Sequence, residues 1–375
     1  MRGSSRIQSS KTSPTHSRSK FSALLLALLT SSAAFAADIP AQLPSVYTRD
    51  QKIVRRWTLA GDPRGVAVGR DGTLYVGLAE PQAVIAVDPK NGAVKQKLVL
   101  DSAEIASTKE LVSMRFNADG SRLYIANGSD ESATILGLPD LHVVREITME
   151  GEAIRDAVPD PKGRYLYLLG RHVHVFDING EKEIHTLPID DPMAIAASAD
   201  ALAVIATEDF GTAKATSVAL YETTSFKEVA RDPLQTTDRI ESAIIARDAL
   251  IAISREHLLE KPLIVKTKTM TKGADGQLRM TADFGDFVNS QRICLPEGSG
   301  PQIMTLASND LLLYAERRCT SSGAFTGTPR RVTPASLYGV NAYAIAYDKD
   351  ANTLAVTERA GTLTIYKVPR PAAAK

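Results

Sequence analysis

Short apolar runs alternate with polar positions along this chain, and turn residues separate the runs. In the clearest unit the apolar residues recur with a period of two, which is typical of β-strands half buried in a sheet. Asp71-Gly72 and Asn91-Gly92 stand between runs, and such pairs favour tight hairpin turns. The four strands predicted in this unit are Gly65–Val68, Leu74–Gly77, Ala83–Asp88 and Val94–Leu100.

The unit recurs along the chain, and each copy has an apolar second strand that contains a leucine. The mean spacing of these leucines is about 47 residues, within the range of four-stranded propeller blades. We therefore predict an all-β fold, a seven-bladed β-propeller that occupies residues 52–369. The leucines are Leu74, Leu123, Leu166, Leu202, Leu250, Leu312 and Leu354.

The two ends of the repeat array complement each other. The seventh unit stops after a third strand, Thr362–Tyr366, whereas an unassigned strand, Lys52–Leu59, precedes the first unit. Pairing this N-terminal strand with the last blade would close the ring and remove two exposed sheet edges.

The sixth unit is the weakest, because Cys319–Arg331 has poor strand signals. Either its outer strands are irregular or the long spacer Thr267–Pro301 supplies one. Six or eight blades therefore remain alternatives.

Residues 1–36 have the pattern of a signal peptide. A basic, Ser-rich leader precedes the apolar run Phe21–Leu29, and Ala34-Phe35-Ala36 forms a small-x-small cleavage site. The apolar run is too short to span a bilayer, which needs roughly 20 residues; a retained membrane anchor is the alternative. We expect a periplasmic or secreted protein without a membrane span, with residues 37–51 as an N-terminal extension and 370–375 as a disordered tail.

Charge and cysteine content narrow the possible partners and cofactors. Removal of the leader takes five basic residues from a formal charge of +1 and leaves about −4, which argues against nucleic-acid binding. Cys294 and Cys319 are the only cysteines. An oxidising compartment favours a disulfide between them, and two free buried thiols are the alternative. The chain lacks the Cys-x-x-Cys-His motif of c-type haem, and we predict no cofactor.

The segment Asp119–Asn127, with the sequence DGSRLYIAN, resembles the signature of the YVTN β-propeller repeat. Asp71–Gly77 and Lys162–Leu168 are looser matches. The resemblance implies the propeller fold over the mature chain but is poor for function. Proteins with such repeats include bacterial surface and periplasmic propellers, lactonase-like enzymes and the propeller subunits of periplasmic amine dehydrogenases. Any functional statement must therefore come from the site itself.

In a propeller, the loops that follow second strands and those that precede the next first strands lie at the same end of the central channel. Charged residues recur at these positions, and converging arginines and carboxylates there could hold a polar ligand. Alternatively, these strand ends are polar only because they reach solvent. The candidate ligand-binding residues are Arg64, Arg155, Asp156, Glu208, Arg239, Glu241, Glu316 and Glu358.

His172 and His174 are two residues apart, so both side chains point to one face of a third strand. A metal would need a further ligand, and none is close in sequence, so we predict structural histidines and no metal site. The chain contains no Gly-x-Ser-x-Gly elbow, P-loop or His-Glu-x-x-His motif, and no catalytic residue is assigned.

These observations favour a non-catalytic binding or scaffold protein that uses the channel-mouth loops to bind a protein partner or a small polar ligand. One alternative is a lactonase-like hydrolase or lyase, with Glu208 as a general base and Arg155 and Arg239 stabilising an oxyanion. The other alternative is a propeller subunit of a periplasmic redox complex of the amine dehydrogenase type.

Overall fold

The computed structural model describes the chain in thirteen ranges, and all 29 regular elements in them are β-strands. Residues 37–375 form the compact unit that contains every one of these strands. The described ranges are 39–46, 50–100, 109–209, 214–234, 239–246, 249–272, 278–284, 289–292, 300–308, 311–316, 326–327, 333–338 and 341–368.

Four blades follow the first strand, β1 (Ile53–Thr58), and each is an antiparallel sheet of four consecutive strands. Blade one contains β2 (Pro63–Val68), β3 (Leu74–Ala79), β4 (Gln82–Val87) and β5 (Val94–Val99). Blade two contains β6 (Ser113–Phe116), β7 (Arg122–Ala126), β8 (Ser132–Gly137) and β9 (His142–Thr148). Blade three contains β10 (Asp156–Pro159), β11 (Tyr165–Leu169), β12 (Val173–Asp177) and β13 (Glu183–Leu187). Blade four contains β14 (Pro192–Ala197), β15 (Ala201–Asp209), β16 (Lys214–Glu222) and β17 (Glu228–Pro233).

Blade five takes its fourth strand from the long spacer. Its strands are β18 (Ile240–Ala246), β19 (Ala249–Ser254), β20 (His257–Lys272), β21 (Leu278–Phe284) and β22 (Asn289–Arg292). The first part of β20 pairs with β19 and β22, and its later part pairs with β21. The spacer thus completes the fifth blade rather than the sixth unit.

The sixth unit forms an irregular sheet. Its strands are β23 (Met304–Ser308), β24 (Leu311–Glu316), β25 (Thr326–Gly327) and β26 (Thr333–Tyr338). The β23–β24 pair is antiparallel, but β26 runs parallel to β24, and β25 joins β22 in the fifth blade.

The prediction of seven blades is therefore wrong. Six of the described sheets have four or more strands and are blades in that sense, whereas the β23–β24–β26 sheet has three strands. An up-and-down blade alternates strand direction, and the parallel β24–β26 pair does not. The physical reason lies in the weak strand signals after Glu316, since the chain returns to β24 only at Thr333. The irregular sheet lies beside the last blade, where β23 contacts β27 (Ala342–Asp348).

The last blade contains β27, β28 (Thr353–Glu358) and β29 (Thr362–Lys367), and β1 is its fourth strand. Trp57 lies opposite Leu363, and Arg55 lies opposite Ile365. The predicted pairing of the N-terminal strand with the last blade is confirmed. The first strand of blade one, β2, also contacts β27, so the first and last blades adjoin.

The segment 39–46 reinforces this closure by joining blade one to β1. The Leu43 amide donates to the Gly92 carbonyl over 3.0 Å, and the Thr58 amide donates to the Pro44 carbonyl over 2.9 Å. Trp57 is 1% exposed and packs against the Asn91-Gly92 turn. Gly92 has a φ of +78°, and a side-chain carbon there would overlap the indole, so both the turn and the packing require glycine.

The predicted second-strand leucines form a repeating part of the core. All seven are at most 1% exposed, and each lies on the second strand of its sheet. This burial explains the recurrence of the leucine along the chain, because each sheet packs against its neighbours through the same face.

Candidate functional site

A pocket of about 290 Å³ lies at one end of the ring. Its walls come from residues just before or at the starts of β6, β10, β14, β18, β23 and β27, and from residues at the ends of β7 and β11. This is the channel mouth at which the sequence places the candidate site. Arg155, Arg239 and Glu241, three of the eight predicted residues, line the pocket together.

Arg155 precedes β10 and is partly buried. Its Nη2 donates to the Gly170 carbonyl over 2.8 Å and also to the carbonyl of Pro192. These two bonds fix the guanidinium between blades three and four. Burial lowers the pKa of Arg155, and the nearby positive charge of Arg239 lowers it further.

Arg239 and Glu241 flank the first residue of β18. Arg239 is exposed and makes no ion pair with the residues that the structure describes. Glu241 is paired, because Nε of Arg255 lies 3.2 Å from its Oε1. Neither of the two lining arginines, Arg155 and Arg239, therefore has a described carboxylate partner at ion-pair distance.

Glu110 and Tyr343 complete the polar lining. Ser129 donates from Oγ to Oε1 of Glu110 over 3.0 Å. The Arg64 guanidinium lies 4.6 Å from the centre of the Tyr343 ring, an arrangement that favours a cation–π contact. Arg64 is thus placed behind the lining residue Tyr343 and is held there by Asp62, at 2.8 Å from Nε.

Gln302 is a buried polar residue next to the pocket lining, and sequence reasoning missed it. Its side-chain Oε1 accepts from the Met114 amide over 2.7 Å, and its Nε2 donates to the Met114 carbonyl. Gln302 directly follows the lining residue Pro301, and Met114 stands two residues after Val112, which also lines the pocket. The side-chain amide of Gln302 thus ties the segment before β23 to β6, which is distant in sequence. No sequence signal distinguishes this glutamine from a surface one.

Besides Arg64, which lies behind Tyr343, three of the predicted residues do not line the pocket: Asp156, Glu208 and Glu358. Asp156 is buried between blades, where Arg115 donates to it from Nη2 over 2.8 Å. Glu208 pairs with Arg231 on the outer strand β17. Glu358 pairs with Arg56 of β1 at 3.1 Å.

These contacts assign Asp156, Glu208 and Glu358 to the seams and edges of the blades. The side chain of Glu316 lies outside the described residues, as do Cys294 and Cys319, so the predicted disulfide stays a prediction.

His174 lies between two carboxylates. Its Nδ1 is 2.8 Å from Oε1 of Glu183, and its Nε2 is 3.1 Å from Oε2 of Glu152. Glu152 also accepts from the amide of Arg171 over 2.9 Å, so it ties the β11–β12 loop to the chain before β10. This arrangement is consistent with a structural histidine. Within the described ranges no group of three potential ligands is close enough to hold a metal.

No protein-family model and no curated protein matches this chain. Among solved structures it is similar to the β-propeller domain of Cps50 (Swd1) from Myceliophteria thermophila. The TM-score is 0.55 at 14% sequence identity, and the match covers 87% of this chain and 100% of that domain. At this identity the similarity supports the propeller fold alone. Over the part of the chain that the structure describes, no helix is long and apolar enough to cross a membrane.

Proposed function

We propose that this protein is a non-catalytic binding protein that takes a small polar ligand in the channel-mouth pocket. The observation that carries the proposal is the convergence of Arg155, Arg239 and Glu241 on one cavity of about 290 Å³. Ligand pockets are concave, largely apolar and furnished with a few placed polar groups. Arg155 and Arg239 belong to different blades, so the site exists only in the assembled ring.

The arrangement favours binding over hydrolysis. A general base must reach the proton that it removes, and Glu208, the first candidate, is paired with Arg231 outside the pocket. The two carboxylates that do line the pocket, Glu110 and Glu241, are engaged with Ser129 and Arg255. Neither is placed as an unpaired base.

The signal-peptide pattern of residues 1–36 supports a place of action in the periplasm or outside the cell, and the YVTN-like segments agree with an exported propeller. A protein partner that inserts a polar side chain into the mouth would use the same pocket, and it is the second occupant that the experiment below tests.

The test is ligand-observed NMR with a panel of neutral, cationic and anionic small molecules at millimolar concentration. Ala153 is exposed and lines the pocket, so Ala153→Trp fills the cavity. Ala351, exposed in the β27–β28 turn, provides the matched control Ala351→Trp. We expect panel members that bind the wild type and Ala351→Trp but not Ala153→Trp.

A wild-type protein that binds no panel member would contradict the small-ligand proposal, as would binding that Ala153→Trp leaves unchanged. In the first case, a protein co-purifying with the wild type and with Ala351→Trp but lost from Ala153→Trp would assign the mouth to a protein partner.

A further inference from the structure

The charges of the residues that line the pocket do not cancel, although Asp191 outside the lining also acts on Arg155. Of the four charged residues that line it, Glu241 is already neutralised by Arg255 at 3.2 Å. Arg155, Arg239 and Glu110 remain, which leaves one positive charge in excess. Two guanidinium groups at one cavity repel each other unless an anion lies between them, and the lowered pKa of Arg155 is in part an effect of Arg239.

Arg155 is oriented before any ligand arrives. Its Nη2 is held by the carbonyls of Gly170 and Pro192, while its Nε and Nη1 make no hydrogen bond to the described protein atoms. A guanidinium fixed in this way loses little freedom when it binds a carboxylate. Because Nη2 is already used twice, Arg155 would donate a single charge-assisted hydrogen bond from Nε or Nη1 to a carboxylate oxygen. Arg239 is exposed and can close on the same group from blade five.

Much of the remaining wall is apolar. Leu169, Met193 and Tyr343 line the pocket and are at most 8% exposed, so an apolar body of the ligand would contact them. Glu110 adds a negative charge to the lining, which disfavours a dianion such as phosphate. The volume of about 290 Å³ lies at the small end of the roughly 300–1,000 Å³ of ligand pockets, which suits a small molecule such as benzoate.

We infer that the mouth pocket recognises a small organic monocarboxylate with an apolar body, whose carboxylate is held between Arg155 and Arg239. The inference rests on the proposed function and adds the chemical class of the ligand. Arg239 makes no described ion pair and no described hydrogen bond to the protein, so its replacement should affect binding without weakening the fold.

The experiment measures dissociation constants by calorimetry for three pairs of probes: propionate and propionamide, benzoate and benzamide, and phenylacetate and phenylacetamide. Inorganic phosphate is a further probe. The proteins are the wild type, Arg239→Gln, Arg239→Lys and the control Arg171→Gln. Arg171 is an exposed arginine of the β11–β12 loop that does not line the pocket.

We expect at least one carboxylate to bind the wild type about tenfold or more tightly than its amide and more tightly than phosphate. Loss of a charge-assisted hydrogen bond in Arg239→Gln should weaken that carboxylate by about tenfold. Arg239→Lys should recover part of the loss, and Arg171→Gln should bind like the wild type.

Three results would overturn the inference: no binding by any of the three carboxylates, equal binding of acid and amide, or an unchanged affinity in Arg239→Gln. If neutral panel molecules nevertheless bind the wild type and lose binding in Ala153→Trp, the pocket is a binding site and only its assignment to carboxylates fails. If no panel molecule loses binding in Ala153→Trp, the proposed small-ligand function fails as well.

Discussion

Replacing Trp57 with alanine tests how much the closing strand contributes to the stability of the ring. The indole is 1% exposed and packs on Gly92 of blade one from β1 of the last blade. A buried tryptophan removes roughly 200 Å² from water, which at about 25 cal/mol/Å² is worth about 5 kcal/mol. Alanine keeps a small part of this and leaves a cavity, so we expect a loss of about 4 kcal/mol, within the range of about 3–5 kcal/mol typical of such changes.

Urea unfolding followed by far-UV circular dichroism measures this loss, because Trp57 is the only tryptophan and the variant has no indole fluorescence. With a slope of about 3 kcal/mol/M, the midpoint should fall by about 1 M or more. The matched control is Val54→Ala in the same strand, since Val54 is 42% exposed and should cost less than about 0.5 kcal/mol. Equal midpoints for Trp57→Ala and Val54→Ala would refute the argument that β1 closes the ring through its buried face.

Two further predictions concern stability. Burial raises the pKa values of Glu152 and Glu183, but hydrogen bonds, including those from His174, outweigh this effect and hold both pKa values below the ordinary 4.5. The two carboxylates therefore stabilise the fold above about pH 4.5. This stabilisation is lost as the pH falls through their lower pKa values in the folded protein. The stability difference between the wild type and His174→Gln should shrink from about pH 5.5 to about pH 3 in urea titrations, and a constant difference would contradict this. Gly92→Ala should destabilise the protein more than Gly163→Ala. Both glycines have a positive φ, which costs alanine about 1–2 kcal/mol, but only Gly92 faces the indole, whereas nothing lies within 4 Å of a side-chain carbon at Gly163. Equal urea midpoints of the two variants would argue against the packing of the turn on Trp57.

Much of the architecture follows from local pattern. The period of two and the turn pairs mark β3 and β7 directly, and the unassigned strand around Trp57 indicates how the ring closes. The sixth unit could not be predicted in the same way. Its outer strand β26 pairs in parallel with β24 after a long connection. Parallel strands are not joined by a hairpin turn, so no turn residues in the sequence indicate this pairing.

The site was partly predictable for a related reason. Strand ends identify the channel mouth, and this is sufficient for Arg155, Arg239 and Glu241. It fails for Asp156, next to Arg155 in sequence, because successive side chains of a strand point to opposite sides, and Asp156 turns to Arg115 in the seam.

Residue type at a strand end therefore does not determine which side chains face the channel. Gln302 carries no such signal in the sequence. Its hydrogen bond with the Met114 backbone becomes evident only when segments that are distant in sequence are brought together.

The most direct test of the central claim is a crystal structure of the protein soaked with the carboxylate that binds best in calorimetry. We expect the carboxylate between the guanidinium groups of Arg155 and Arg239, with the apolar body of the ligand against Tyr343. A ligand bound elsewhere at saturating concentration, with the mouth pocket empty, would contradict it.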